Sequence, residues 1–189
     1  LDCGDTVRPQ FRGDGVIRRV DPLRGVSVDA DLAVRAAHAL RSASGVRAGA
    51  DIAIDKHIPL GGGLGGGSSD AATTLVALNA LWDAGLGNDE LAAIGLGLGA
   101  DVPVFVRGHS AWAEGVGERL TPSELPRRWF VVIDPGVHVP TADVFRAADL
   151  TRNAPHLTIP LFASGVATIN VFEPVVRERY GNLFDIYHE

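Results

Sequence analysis

Between Gly61 and Asp70, six of ten residues are glycine and two are serine, and an apolar stretch with helical spacing follows at once. Glycine loses more conformational freedom on ordering than any other residue, so such a loop needs a reason. Successive backbone N–H groups in a glycine loop converge on an anion, and side chains would block that approach. A helix starting directly afterwards adds unpaired N–H groups and the positive end of its dipole. Ser68 and Ser69 add hydroxyl donors that reach a phosphate or a phosphate-bound metal. The chemistry that fits is a polyphosphate cradle. A flexible linker would have polar, patternless flanks. A dinucleotide fold needs an acidic residue after a second strand about 20 residues on. At that distance stands Trp82-Asp83-Ala84-Gly85-Leu86, a helix end. It is not a Walker A loop, because no lysine precedes the serines. The single lysine, Lys56, lies on the preceding strand.

These residues must be held by the elements around them. Ala50 to His57 alternates, with Ala50, Ile52 and Ile54 on one side and Asp51 and Asp55 on the other, which predicts a half-buried strand. A helix is expected from about Ser69 to Ala84, with Leu75, Leu78 and Trp82 along one side and Gly85 stopping it. Upstream, residues 1–28 read as short strands and turns. Asp29 or Asp31 caps a helix to about Ser44 that buries Leu32, Ala36, Ala37 and Leu40 and ends at Gly45. Downstream, Asn88 caps a helix carrying Leu91, Ile94 and Leu98. Pro103–Val106, Ser110–Gly115 and Trp129–Asp134 read as strands, and Thr141–Ala148 as a short helix. Asn170-Val171-Phe172-Glu173 has the capping-box pattern and opens a helix to about Tyr180. Prolines and charges between Pro122 and Arg128 mark the boundary between two domains, 1–125 and 126–189.

The 189 residues are 46% hydrophobic, enough to fill a core. A net charge of −6 argues against nucleic acid as the main partner. No apolar run approaches membrane-spanning length, so no membrane partner is expected. One cysteine, Cys3, excludes an internal disulfide and fits a reducing, cytoplasmic setting. His57, His109, His138 and His156 lack metal-ligand spacing, and no protein metal ligand is assigned. Glu114 and Glu118 receive no chemistry.

The glycine stretch resembles the motif of the GHMP small-molecule kinases, Pro-x-x-x-Gly-Leu-x-x-Ser-Ser. Here it reads Pro59, Gly63, Leu64 and then Gly66-Gly67-Ser68-Ser69, with extra glycines. The doubled triplet GGGLGGGSSDAA resembles the branch acting on 4-diphosphocytidyl-2-C-methyl-D-erythritol in non-mevalonate isoprenoid synthesis. Leu96–Pro122, Pro135–Asn153 and Asn170–Tyr180 resemble that branch in the same order. The resemblance implies an α+β GHMP kinase fold: a ribosomal protein S5 domain 2-like N-terminal domain and part of an α/β C-terminal domain. It implies transfer of the γ-phosphate of ATP to the 2-hydroxyl of the cytidyl substrate, with Mg²⁺ expected as for phosphoryl transfer generally. It implies ATP contacts from Lys56 and from Pro59, Leu60, Gly61, Gly62, Gly63, Leu64, Gly65, Gly66, Gly67, Ser68 and Ser69. Asp101, in Gly-Ala-Asp-Val-Pro, matches the catalytic base, and Phe145 and Thr141 match substrate contacts, with the Phe145 ring stacked on cytosine. From position alone Asp101 reads as a turn cap before Pro103, and Phe145 equally as a core residue. A monomer or homodimer is expected.

The chain also departs from the family pattern. The opening Pro-Ala-Lys-x-Asn strand, the Gly-Tyr-His segment and the closing Gly-Thr-Gly motif do not occur in it, there is no methionine, and the tail GNLFDIYHE does not match. The reading is of a truncated chain, expected by itself to bind ATP weakly and to leave the cytidyl substrate unphosphorylated. The alternatives are a catalytically inactive nucleotide-binding fragment or another GHMP kinase such as a homoserine kinase.

Overall fold

The computed structural model describes residues 3–21, 23, 25–126, 129–133, 139–155 and 170–181. The chain divides into two compact units, Leu1–Glu124 and Leu125–Glu189.

The first unit is built on a three-stranded sheet of β1 (Thr6–Arg12), β2 (Ile17–Arg19) and β3 (Gly49–Asp55). β3 is central, antiparallel to β1 and parallel to β2. Alternation sets its faces: Ala50, Ile52 and Ile54 are buried, while Asp51 meets Arg12 and Arg18 on the other face. Val7 opposite Ile54, and Ile17 opposite Ala50, extend the buried face. Pro9 in β1 is tolerated because this is an edge strand.

Helix α1 (Leu32–Ser44) begins at Asp31, whose carboxylate accepts from the N–H groups of Ala33 and Val34, and ends at left-handed Gly45. Asp31 also pairs with Arg19 at 2.7 Å, both side chains being buried. α1 packs with α2 (Gly66–Leu81), α3 (Asn88–Leu96) and α4 (Val102–Arg107) over the sheet. Leu40, Ile52, Leu75, Leu78 and Val102 lie at the centre of that core. The Trp82 indole N–H donates to the Gly49 carbonyl at 3.1 Å, tying the end of α2 to the start of β3. A hairpin of β4 (Ala111–Glu114) and β5 (Arg119–Pro122) completes this unit. The second unit contains α5 (Thr141–Arg146) and α6 (Glu173–Arg179), joined by a small cluster of Val144, Ala147, Leu150 and Val175.

Several sequence expectations are corrected. Pro103–Val106 is not a strand but lies in α4. A short apolar run carries no decisive period. Here Pro103 occupies the first helical turn, Gly108 closes the helix in the left-handed region, and Val102, Pro103 and Val106 share a buried side. Trp129–Ile133 forms no strand despite its β-rich composition: among the described residues nothing pairs with it, and all five side chains are exposed. Asp134 falls outside the described residues. Gly87 rather than Asn88 occupies the cap position of α3, where its N–H donates to the Glu90 carboxylate at 2.8 Å. The capping box at Asn170 does not form. Asn170 instead accepts from the Phe172 N–H in a tighter turn, and Glu173 pairs with Arg177 one helical turn on. α2 begins three residues before Ser69, within the glycines, and ends at Leu81 before a turn through Asp83 at φ 51°. α5 likewise stops at Arg146, before Ala148.

Candidate active site

The glycine loop runs from the end of β3 to the first turn of α2. Within it Gly61, Gly63 and Gly65 have φ of 73°, 69° and 71°, while Gly62 and Leu64 between them do not enter the positive region. Alternating handedness of this kind turns successive N–H groups toward one concave side, the arrangement that binds anions. Only glycine adopts the left-handed conformation freely, so the alternate glycines answer to backbone shape. The loop feeds into α2, whose first N–H groups have no partner within the helix. Pro59, Leu60 and Gly61 to Gly63 are exposed, and Ser68 and Ser69 are half-buried on the first turn.

Asp101 stands at the entry of α4, exposed, and its carboxylate makes no capping hydrogen bond. Two contacts bracket it against the loop. Gly99 lies beside Ser68: a Cβ built on it would sit 3.8 Å from the Ser68 hydroxyl. Phe105, one helical turn after Asp101, lies against Gly65, where a Cβ would be 2.9 Å from the ring. From the other side the β4–β5 turn closes on this segment, and a Cβ on Gly117 would overlap the Ala100 carbonyl. The structure thus brings the Asp101 segment, the glycine loop and the start of α2 together in one unit.

Lys56 follows β3 directly. Its ammonium contacts the Asp5 carboxylate and lies 2.9 Å from that of Asp70. Asp5 also accepts from the N–H groups of His57 and Ile58, at 2.6 and 2.8 Å. The three side chains are 3% (Asp5), 13% (Lys56) and 6% (Asp70) exposed, so the charges lie largely out of water. Burial would raise the Asp5 carboxyl, but the Ile58 N–H, the Lys56 ammonium and the His57 N–H outweigh it and hold it below its ordinary range. For Asp70 burial prevails and its carboxyl is pushed up. Burial would lower the Lys56 ammonium, but its bonds to Asp5 and then Asp70 raise it. Nothing in the sequence singles out Asp5, because its meeting with Lys56 depends on the register that sets Thr6 opposite Asp55. Asp70, directly after the paired serines, carried a local signal.

Phe145 and Thr141 lie in the second unit, both exposed. The Phe145 ring meets Phe172 edge-on, with centroids 4.7 Å apart and planes at 88°. Its carbonyl accepts from Arg152 at 2.7 Å. His57 and His109 are exposed, and His138 and His156 fall outside the described residues. Among the described residues no group of three or more His, Cys, Asp or Glu side chains could hold a metal ion, and no helix is long and apolar enough to cross a membrane.

Residues 31–109 match the model of the GHMP kinases' N-terminal domain, a span that contains the glycine loop, α2 and Asp101. The chain is 62% identical over 180 residues to a 4-diphosphocytidyl-2-C-methyl-D-erythritol kinase of Xanthomonas axonopodis pv. citri, covering 95% of this chain and 61% of that relative. A protein of the same name from Cupriavidus necator is 54% identical over 187 residues, covering 97% of this chain and 64% of the relative. The crystal structure of a 4-(cytidine 5'-diphospho)-2C-methyl-D-erythritol kinase superposes with a TM-score of 0.74 at 36% identity, over 96% of this chain and 66% of that one. The chain therefore spans somewhat under two thirds of the length of the relatives it matches. Its fold is the α+β fold of that solved kinase.

Proposed function

We propose that the protein transfers the γ-phosphoryl group of ATP to the 2-hydroxyl of 4-diphosphocytidyl-2-C-methyl-D-erythritol. The observation that carries the reading is the loop: left-handed Gly61, Gly63 and Gly65 alternate with ordinary backbone and lead into α2, with the Asp101 segment against Ser68. The named relatives support the choice of substrate. The loop N–H groups and the α2 N-terminus hold the phosphates, and Ser68 and Ser69 donate hydroxyls to them. Asp101 accepts the proton of the 2-hydroxyl as its oxygen attacks the γ-phosphorus. The new oxygen–phosphorus bond forms as the bond to the β-phosphate oxygen breaks, and ADP leaves with that electron pair. Phe145 offers its exposed ring to the cytosine, and Thr141 lies one turn before it on α5.

Mg²⁺ fits this site as a guest of the nucleotide rather than of a protein cage. No acidic or imidazole cluster waits for it among the described residues, and Mg²⁺ commonly keeps its waters and takes one or two protein oxygens beside the phosphates. The Ser68 and Ser69 hydroxyls and the Asp101 carboxylate are the oxygens this chain offers. When bound, the ion neutralises charge on the transferring phosphoryl group.

The test is phosphorus NMR of the full-length protein incubated with ATP and, in separate samples, the cytidyl substrate or homoserine. The reading predicts a new phosphomonoester on the 2-oxygen, formed in step with ADP. Phosphorylation of homoserine instead, or no substrate-dependent ADP, rejects it.

A further inference from the structure

Lys56, Asp5 and Asp70 stand at the two ends of the glycine loop, and their arrangement has a purpose that phosphate contact does not supply. Lys56 is the first residue after β3, and Asp70 lies one turn into α2, so their 2.9 Å bond spans the loop from entry to exit. Asp5 fastens the entry a second time, accepting from His57 and Ile58 just where the strand stops pairing. At the exit Gly66 packs against the same ammonium: a Cβ there would sit 3.3 Å from Nζ and 2.9 Å from the Ile58 side chain. The ammonium is thus enclosed by two carboxylates and by backbone.

We propose that Lys56 and Asp70, seated by Asp5, are positioning residues: a clasp that sets the glycine loop in its anion-binding shape before a nucleotide arrives. The inference rests on the cradle reading of the loop. A loop with six glycines samples many conformations when untethered, and left-handed backbone at three alternate positions is a small part of them. Tying its ends limits that freedom, and ordering done in advance is not charged against ligand binding. A single half-buried lysine suits the task, because its flexible stem lets one ammonium reach carboxylates from two separate segments.

The experiment combines amide hydrogen exchange with nucleotide binding, on the full-length protein and its Lys56→Met, Lys56→Arg and Asp70→Asn variants. The reporters are the Gly62 N–H, which donates to Pro59 at 3.3 Å, and the Ser69 N–H, which donates to Gly65 at 2.8 Å. With the charge-assisted bond lost, both should exchange about tenfold faster in Lys56→Met and Asp70→Asn. Leu40 in α1 and Ile52 in β3 should keep their rates. Lys56→Arg, which keeps the charge and donors, should restore most of the protection. ATP and GTP affinities should fall by the same factor in Lys56→Met and Asp70→Asn, since the loop meets only the phosphates both nucleotides share. Unchanged exchange at Gly62 and Ser69 would overturn the proposal. So would equal acceleration at Leu40 and Ile52, which would mean general loosening. A loss confined to ATP and to the Lys56 variant would overturn it as well, marking a direct contact with the base. If the wild type binds neither nucleotide, the cradle reading fails, while the exchange rates still decide whether the clasp holds the loop.

Discussion

Replacing the Asp101 carboxylate by an amide keeps its size and removes its ability to take a proton. Asp101 is exposed and makes no capping bond, so Asp101→Asn should leave the fold intact. In the full-length protein turnover should fall about 10²- to 10⁴-fold, the usual worth of a general base, with ATP affinity little changed. Steady-state kinetics check this, and near-normal turnover would remove Asp101 from the chemistry. Phe145 poses a different residue-scale question. The residue is 56% exposed and its ring meets that of Phe172 edge-on, so it offers surface rather than filling the core. Base–aromatic stacking is worth about 1–3 kcal/mol, so Phe145→Ala should raise KM for the cytidyl substrate by a factor of roughly 5 to 160. KM for ATP should hold, and equal rises in both values would argue against a cytosine contact.

The loop and helix α2 fail or succeed together, and glycine substitutions separate shape from composition. Gly65→Ala forces an L-residue to φ 71° and drives its Cβ to 2.9 Å from Phe105. It should cost about 1–2 kcal/mol or more of stability in urea. Gly67→Ala lies inside α2 with its Cβ an ordinary 3.5 Å from Leu32, and should be neutral or stabilising by up to about 1 kcal/mol. Equal effects of the two would contradict a loop defined by its handedness. The clasp adds a pH signature. Burial, only partly offset by Lys56, makes folded Asp70 hold its proton above the ordinary 3.8. The folded state then carries a proton the unfolded chain has shed, and stability falls as pH rises from about 3.8 through the raised value. Asp5, held low, acts in the opposite direction: its contribution is present above 3.8 and is lost as pH falls through its folded value. Asp70→Asn removes the first effect, while Asp5, which shares the Lys56 ammonium, acts below 3.8. The variant's urea midpoint relative to wild type should therefore improve as pH is raised above 3.8, and a pH-independent difference would contradict the raised carboxyl.

At the scale of the molecule, local pattern carried most of what was legible. The alternation of β3, the Asp31 and Gly45 ends of α1 and the apolar side of α2 were visible because period and cap chemistry act over a few residues. Pro103–Val106 was not, because four apolar residues fit a strand and a helix turn equally, and packing of Val102 and Val106 decided between them. Trp129–Ile133 has strand composition, yet a strand exists only with a partner, which composition cannot announce. In the candidate site, the glycine motif could be read directly, and Asp101 only through its family motif. The Lys56–Asp5 contact required the pairing of β1 with β3 across fifty residues of chain. At the centre of the proposed function is phosphate binding by the backbone of this loop. The most direct measurement is a nitrogen-15 NMR titration of the full-length protein with ATP and, separately, with adenosine. Saturable amide shifts concentrated at Gly61 to Ser69 are expected with ATP, and little movement there with adenosine. Shifts of equal size with adenosine, or ATP-induced shifts lying wholly outside that loop, would contradict it.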